Sequence, residues 1–172
     1  MSIPLPADDE LSDKNRRLLR GLPDANIFRM VANAPNSLKP FLDLAGSLLM
    51  QSEFDKRARE IAILRIATIT GSHYEWAQHV RIAKLVGVTD DEIERVGVDG
   101  PVSGFDESTR LVIDAAEDLT RNVRLDDRLL EALLAEHGTR RTTEFILCCS
   151  YFNMVSRFLE STRVPLEDAP LI

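Results

Sequence analysis

Apolar residues recur along most of the chain at intervals of three and four residues, the period of a helix that buries one face. Convincing strand alternation is found in no segment, and neither repeats nor low-complexity regions interrupt the pattern. The helices that the pattern predicts cover approximately 12–20, 26–32, 38–49, 55–70, 73–86, 89–96, 106–121, 126–137 and 140–163. We therefore expect an all-α bundle of about seven to nine helices.

The predicted helix at 55–70 is apolar on nearly every face, which is typical of a helix buried in a core or between subunits. Asp55 is placed to cap its first turn, and Gly71 stands where a C-terminal glycine is expected. Ser72 and Glu75 then have the spacing of a capping box for the next helix. That role is purely structural, and the spacing alone does not distinguish it from a functional role.

Polar residues on these two helices are the candidates for chemistry. Glu75 and His79 are four residues apart, so their side chains share one helix face and are expected to form a hydrogen bond. Apolar neighbours would raise the pKa of the carboxyl group, and ion pairing would raise that of the imidazole, which brings both towards neutral pH. Glu60 lies in the first turn of the preceding helix. The alternatives are a structural Glu–His pair and a Glu60 that only complements the helix dipole.

Length and charge limit the class of protein. A chain of 172 residues is most simply one domain, with an arm at 1–11 and a tail at 166–172. The net charge of -7 and the scattered basic residues argue against nucleic-acid binding. We expect no membrane partner, since no apolar run is long enough to span a bilayer and no signal peptide is visible. The cytoplasm is the expected location.

The cysteines and histidines indicate neither a disulfide framework nor a metal site. Cys148 and Cys149 are adjacent, so they are poorly placed to bond to each other. The histidines lack zinc-site spacing, and His73 and His137 are interpreted as surface or helix-end residues.

Several stretches together resemble a known family. They are Arg59-Glu60, the run Gly-Ser-His-Tyr-Glu-Trp-Ala-Gln-His at 71–79 with Ala83 and Gly87, and the segments 153–157 and 164–166. The combination resembles the carboxymuconolactone decarboxylase family, which includes the alkylhydroperoxidase D-like proteins. The resemblance implies an all-helical fold that assembles into trimers, hexamers or larger rings. The broad apolar helix surfaces also favour a homo-oligomer, with a trimer or hexamer expected before a dimer.

The peroxidase branch of that family uses a Cys-x-x-Cys pair followed four residues later by His, with a Glu upstream. By this resemblance Glu60 and His79 match the Glu and the His, while Ser72 and Glu75 stand at the cysteine positions. The departure removes both thiols, so disulfide-based peroxide reduction is not expected at this site.

What remains resembles the decarboxylase-like branch, whose reference reaction is loss of carbon dioxide from 4-carboxymuconolactone. We expect catalysis by Glu60, Glu75 and His79, with His79 as the acid, Glu75 steadying it and Glu60 relaying or orienting. The small-molecule substrate is expected to contact Ser72, Tyr74, Trp76 and Arg65, and neither a metal nor another cofactor is expected. The alternatives are a thiol peroxidase or disulfide reductase, and a non-catalytic oligomer that binds a ligand.

Overall fold

A computed structural model of the chain describes residues 1–167 and contains eight α-helices and no β-strand within them. The predicted all-α class and helix number are confirmed. The helices, in chain order, are α1 (Asp13–Leu19), α2 (Asn26–Val31), α3 (Leu38–Met50), α4 (Lys56–Thr70), α5 (His73–Leu85), α6 (Asp90–Val96), α7 (Glu107–Asn122) and α8 (Asp127–Thr162).

Short-range signals fix most helix ends. The Asp55 side chain accepts a hydrogen bond from the Ala58 amide at 2.8 Å, which starts α4. Gly71 ends α4 in the left-handed conformation, with φ of 67°. The two helices expected at 126–137 and 140–163 form one element, α8, which is broken at Gly138, where φ is 72° and ψ is 169°. The break therefore lies where the sequence placed it.

Helix α4 lies at the centre of the bundle and packs against α5, α6, α7 and α8. Its side chains from Arg59 to Ala67 are buried on every face, and Ile61, Ile63, Leu64 and Ile66 are fully buried. The sequence prediction of a buried fourth helix is confirmed. Any polar group on α4 must consequently find a partner inside the protein.

The N-terminal arm lies along its own chain. The Ile3 amide donates to the Thr162 carbonyl at 3.2 Å, next to the end of α8. The Arg29 and Asn33 side chains of the α2 region donate to arm carbonyls at 3.1 Å. The arm thus follows the surface of the bundle. Of the expected tail at 166–172, only 166 and 167 are among the described residues.

Within residues 1–167, none of the helices combines the length and the apolar character that crossing a membrane would require.

Candidate active site

An apolar cavity of about 220 Å³ opens between α5, the C-terminal part of α8, α3, and α2 with the residues just before it. Among the described residues, its polar side chains come from α5, apart from Tyr151 of α8. The lining side chains are Pro23, Ala25, Ile27, Phe28, Phe41, Ala45, Leu49, Tyr74, Glu75, Gln78, His79, Ile82, Tyr151, Phe152, Val155 and Leu159.

His79 and Glu60 form a buried pair beside this cavity. The Nδ1 atom of His79 lies 2.7 Å from Oε2 of Glu60. Glu60 is fully buried on α4, and His79 is 7% exposed and lines the cavity from α5. Close packing of α4 against α5 therefore joins two residues that are nineteen apart in the chain.

Further contacts hold this pair in place. Nε and Nη2 of Arg59 each lie 3.3 Å from Oε1 of Glu60, and Nη1 donates to the Leu48 carbonyl. The positive guanidinium compensates the buried carboxylate, whose isolation would be costly. The edge of Phe152 meets the imidazole in a T-shaped contact with ring centroids 4.8 Å apart. The imidazole is thus fixed on two sides.

The expected pairing of His79 with Glu75 is wrong, because each residue has another partner. Oε2 of Glu75 accepts a 2.6 Å hydrogen bond from the Ser156 hydroxyl of α8. The capping box expected for α5 is also absent, since the Ser72 side chain caps no amide there. Burial explains both differences: Glu75, only 2% exposed, turns into the protein instead of back along its own helix.

Burial also sets the charge of Glu75. Removal from water raises the pKa of this carboxyl group to about 8, against an opposing hydrogen bond from Ser156 and with a smaller contribution from Glu160. Glu75 is therefore largely protonated at neutral pH. Its Oε1 atom is buried and has no hydrogen-bond partner among residues 1–167, although the side chain borders the cavity.

Of the four residues expected to bind substrate, Tyr74 alone lines the cavity. Arg65 is fully engaged elsewhere: Nε donates to Glu117 at 2.6 Å, and the two Nη atoms donate to the carbonyls of Val96, Val98 and Gly100. This arginine fastens the loop after α6 to the core.

Trp76 and Ser72 are also placed away from the cavity lining. The Trp76 ring packs in a second apolar cluster with α6, so close to Gly97 that an added Cβ would lie 2.6 Å from Cη2. The Ser72 hydroxyl is buried with no partner among the described residues. Both side chains therefore belong to the packing around α5 and lie outside the lining of this cavity.

The two cysteines are buried and free. Burial raises the pKa of the Cys148 thiol to about 12 and holds that of Cys149 well above its ordinary value. Thiols in this state are poor nucleophiles at neutral pH. Among residues 1–167, no three His, Cys, Asp or Glu side chains are grouped so as to hold a metal ion.

Sequence reasoning did not select Ser156, Gln78 or Glu167 as residues in or beside the site, although each forms a side-chain hydrogen bond there. Ser156 is a polar residue in an apolar helix, a signal that the motif at 153–157 contained. Gln78 lies one residue before His79 and is half-buried on α5. Glu167 follows the last helix, where no periodic pattern indicates a contact.

A sequence profile of the carboxymuconolactone decarboxylase family matches residues 35–118, which include α4, α5, Glu60, Glu75 and His79. Nearly half of the chain, including both central helices, therefore has sequence similarity to this family. Among curated proteins, no sequence match to the chain was found.

Solved structures of similar fold cover almost the whole chain. One is the alkylhydroperoxidase AhpD core of an uncharacterized peroxidase-related protein from Ralstonia eutropha JMP134, with a TM-score of 0.83, 17% identity, and coverage of 97% of this chain and 92% of that one. Another is an uncharacterized peroxidase-related protein from Silicibacter sp. TM1040, with a TM-score of 0.83, 18% identity, and coverage of 99% and 95%. At these identities the similarity establishes the alkylhydroperoxidase D-like helical fold.

Proposed function

We propose that this protein is a cofactor-independent enzyme that applies general acid–base catalysis to a small carboxylated ring compound. The reaction would be of the decarboxylase or lactone-isomerase type. The observation that carries the proposal is the Glu60–His79 pair, joined at 2.7 Å and set against a largely apolar cavity. A carboxylate–imidazole pair in a water-poor cavity is suited to controlled proton transfer.

His79 is the proton donor in this proposal. Glu60 engages Nδ1, so Nε2 is the nitrogen left to exchange a proton with a molecule in the cavity. Glu60 holds the ring in one orientation through its contact with Nδ1. Arg59 balances the Glu60 charge and does not itself line the cavity. Glu60 thereby takes the role that the sequence suggested for Glu75.

Glu75 supplies a neutral carboxyl group. Because Ser156 donates to Oε2, the carboxyl proton belongs on Oε1, the oxygen that lacks a partner. A buried carboxylic acid that stays protonated at neutral pH can donate a hydrogen bond to a developing oxyanion. The cavity would therefore hold two different proton-bearing groups, one to protonate carbon and one to stabilise oxygen.

The decarboxylation step can be written with these groups. The bond between the ring carbon and the carboxylate carbon breaks, and its electron pair passes through the conjugated ring to a carbonyl oxygen, forming an enolate. Carbon dioxide leaves. Glu75 hydrogen-bonds the enolate oxygen, and the His79 imidazolium delivers its proton to the ring carbon as the electron pair returns. His79 then regains a proton from water.

The test uses a panel of cyclic carboxylates and carboxylated lactones in deuterium oxide. Turnover should place deuterium on the carbon that lost the carboxylate, detected by proton NMR, and release one carbon dioxide per product. His79→Gln should lower the rate by a factor on the order of 100 to 10,000. His73→Gln is the matched control, because His73 is exposed on the same helix, and it should leave the rate unchanged. Equal rates for His79→Gln and wild type would contradict the assignment.

Thiol peroxidase or disulfide reductase activity is the rival function in this family. The residues Ser72 and Glu75 and the buried, protonated state of Cys148 and Cys149 speak against it. An assay of hydroperoxide consumption with a dithiol donor separates the two functions. Strong consumption by wild type, with no product from any carboxylated ring compound, would favour the rival. Loss of that consumption on replacing both cysteines with serine would identify the thiols responsible.

A further inference from the structure

The carboxylate of Glu167 is bound at the edge of the cavity by three donors. Its Oε1 accepts hydrogen bonds from the main-chain amide of Asn26 at 2.7 Å and from the Tyr74 hydroxyl at 2.5 Å. Its Oε2 accepts from the Gln78 side-chain amide at 2.5 Å. Both oxygens are therefore satisfied by neutral donors, a complete binding arrangement for a carboxylate.

Two of these donors also line the cavity. Tyr74 and Gln78 are four residues apart on α5, as are Glu75 and His79. Side chains at that spacing lie above one another on a helix, so α5 presents two neighbouring rows to the cavity. The carboxylate binders form one row, and the proposed proton donors form the other. A ligand carboxylate in the first row would leave its attached ring beside the second.

The binding arrangement is built into the bundle. Tyr74 is only 5% exposed, and its oxygen accepts a 3.2 Å hydrogen bond from the Ile27 amide, which orients its own proton outward. Burial, followed by the bond to Glu167, raises the pKa of this phenol, so it remains a donor at physiological pH. Glu167 itself belongs to a segment without regular structure that follows Pro165. The three donors are thus held by the helical bundle, whereas Glu167 lies on an irregular segment after α8.

We propose that Asn26, Tyr74 and Gln78 form a subsite for a carboxylate that the substrate keeps throughout the reaction, and that Glu167 is its internal competitor. The ligand class is an apolar ring bearing such a carboxylate. The inference rests on the proposed function in taking this cavity as the substrate site. It also accounts for carboxylate recognition in a cavity whose lining includes no arginine or lysine among the described residues.

The test measures binding without turnover, using phenylacetate and its neutral isostere phenylacetamide in titration calorimetry. Glu167→Ala should bind phenylacetate at least about tenfold more tightly than wild type, because the site is no longer occupied by the tail. Glu131→Ala removes an exposed glutamate elsewhere on the surface, and it should bind both compounds as wild type does. Glu167→Gln, which retains the length of the side chain, provides a second variant should the alanine variant unfold.

Removal of the donors completes the test. In the Glu167→Ala background, Tyr74→Phe and Gln78→Leu should abolish the preference for phenylacetate over phenylacetamide. If Glu167→Ala binds phenylacetate no more tightly than wild type, or binds both compounds equally, the subsite is overturned. His79→Gln should retain phenylacetate binding whatever it does to turnover, so failure of the acid–base mechanism and failure of the subsite can be told apart.

Discussion

The hydroxyl of Ser156 donates a 2.6 Å hydrogen bond to Oε2 of Glu75, linking α8 to the first turn of α5. Burial raises the pKa of this carboxyl group and so favours its protonated form, against the opposing effect of the Ser156 hydrogen bond. Glu60, on the neighbouring helix, instead contacts the cationic side chain of Arg59. Two buried glutamates in one small region therefore have different electrostatic surroundings, which is the arrangement that acid–base chemistry needs.

The first prediction concerns the stability of Glu75→Gln as a function of pH. Since burial raises the pKa of Glu75 from 4.5 to about 8, the unfolded chain ionises this carboxyl at lower pH than the native protein does. Wild type should lose stability as pH rises between those values, whereas the amide cannot ionise. Relative to that of wild type, the free energy of unfolding of Glu75→Gln should rise by on the order of 2 to 5 kcal/mol between about pH 4.5 and pH 8.5.

Urea unfolding at both pH values measures this difference. Glu131→Gln serves as the control, because it neutralises an exposed glutamate and should show no comparable gain. A constant difference between Glu75→Gln and wild type across the pH range would mean that Glu75 is ionised in the native protein.

The second prediction concerns the buried pair of Arg59 and Glu60. Glu60→Gln leaves the guanidinium of Arg59 buried beside a neutral amide, which should lower the free energy of unfolding by about 3 kcal/mol or more. Asp91→Asn breaks an exposed pair with Arg95 and should cost less than about 1 kcal/mol. Denaturant unfolding of the two variants gives the comparison. Similar small losses in both would show that the Arg59–Glu60 contact contributes little.

The third prediction tests the structural role assigned to Trp76. Gly97→Ala would bring a methyl group against the indole ring and should destabilise the fold by roughly 1 to 3 kcal/mol. Gly46→Ala is the matched control, because an added Cβ there meets no atom within 4 Å, and alanine favours the interior of α3. Thermal unfolding should move in opposite directions for the two variants. Equal midpoints would indicate that the Trp76 ring shifts without cost.

The fourth prediction is a homo-oligomer, with a trimer or hexamer preferred. Leu147 and Met154 are seven residues apart on α8 and about half exposed, so they share an apolar stripe on the surface. Light scattering should give a mass that is a multiple of 19.3 kDa, and Leu147→Glu with Met154→Glu should reduce it. A stable wild-type monomer at micromolar concentration would contradict this prediction.

Local patterns account for most of what the sequence predicts correctly. The course of α4 follows from a capping aspartate, an apolar run and a left-handed glycine, all within sixteen residues or so of one another. The motif resemblance also selected Glu60 and His79, which the fold brings together. In both cases, the informative residues are close in sequence or share a recurrent pattern.

The contacts that the sequence does not predict are those between residues of different helices. The spacing of Glu75 and His79 predicts a pair along one helix, but packing against α4 and α8 provides each with a nearer partner. The spacing rule describes an isolated helix surface, and it fails where that surface is buried. Glu167 could not be predicted either, because its contact depends on the path of residues 164–167, which have no regular structure.

The hydrogen bonds of Arg65 determine which nearby residues can be substituted without loss of contact. It holds the loop after α6 through main-chain carbonyls at Val96, Val98 and Gly100, so that the identities of the loop side chains do not enter the contact. A lysine offers three donors on a single nitrogen and could not reproduce the spread of a guanidinium. Changes to the side chains of this loop should therefore leave the contact intact, whereas Arg65→Lys should weaken it.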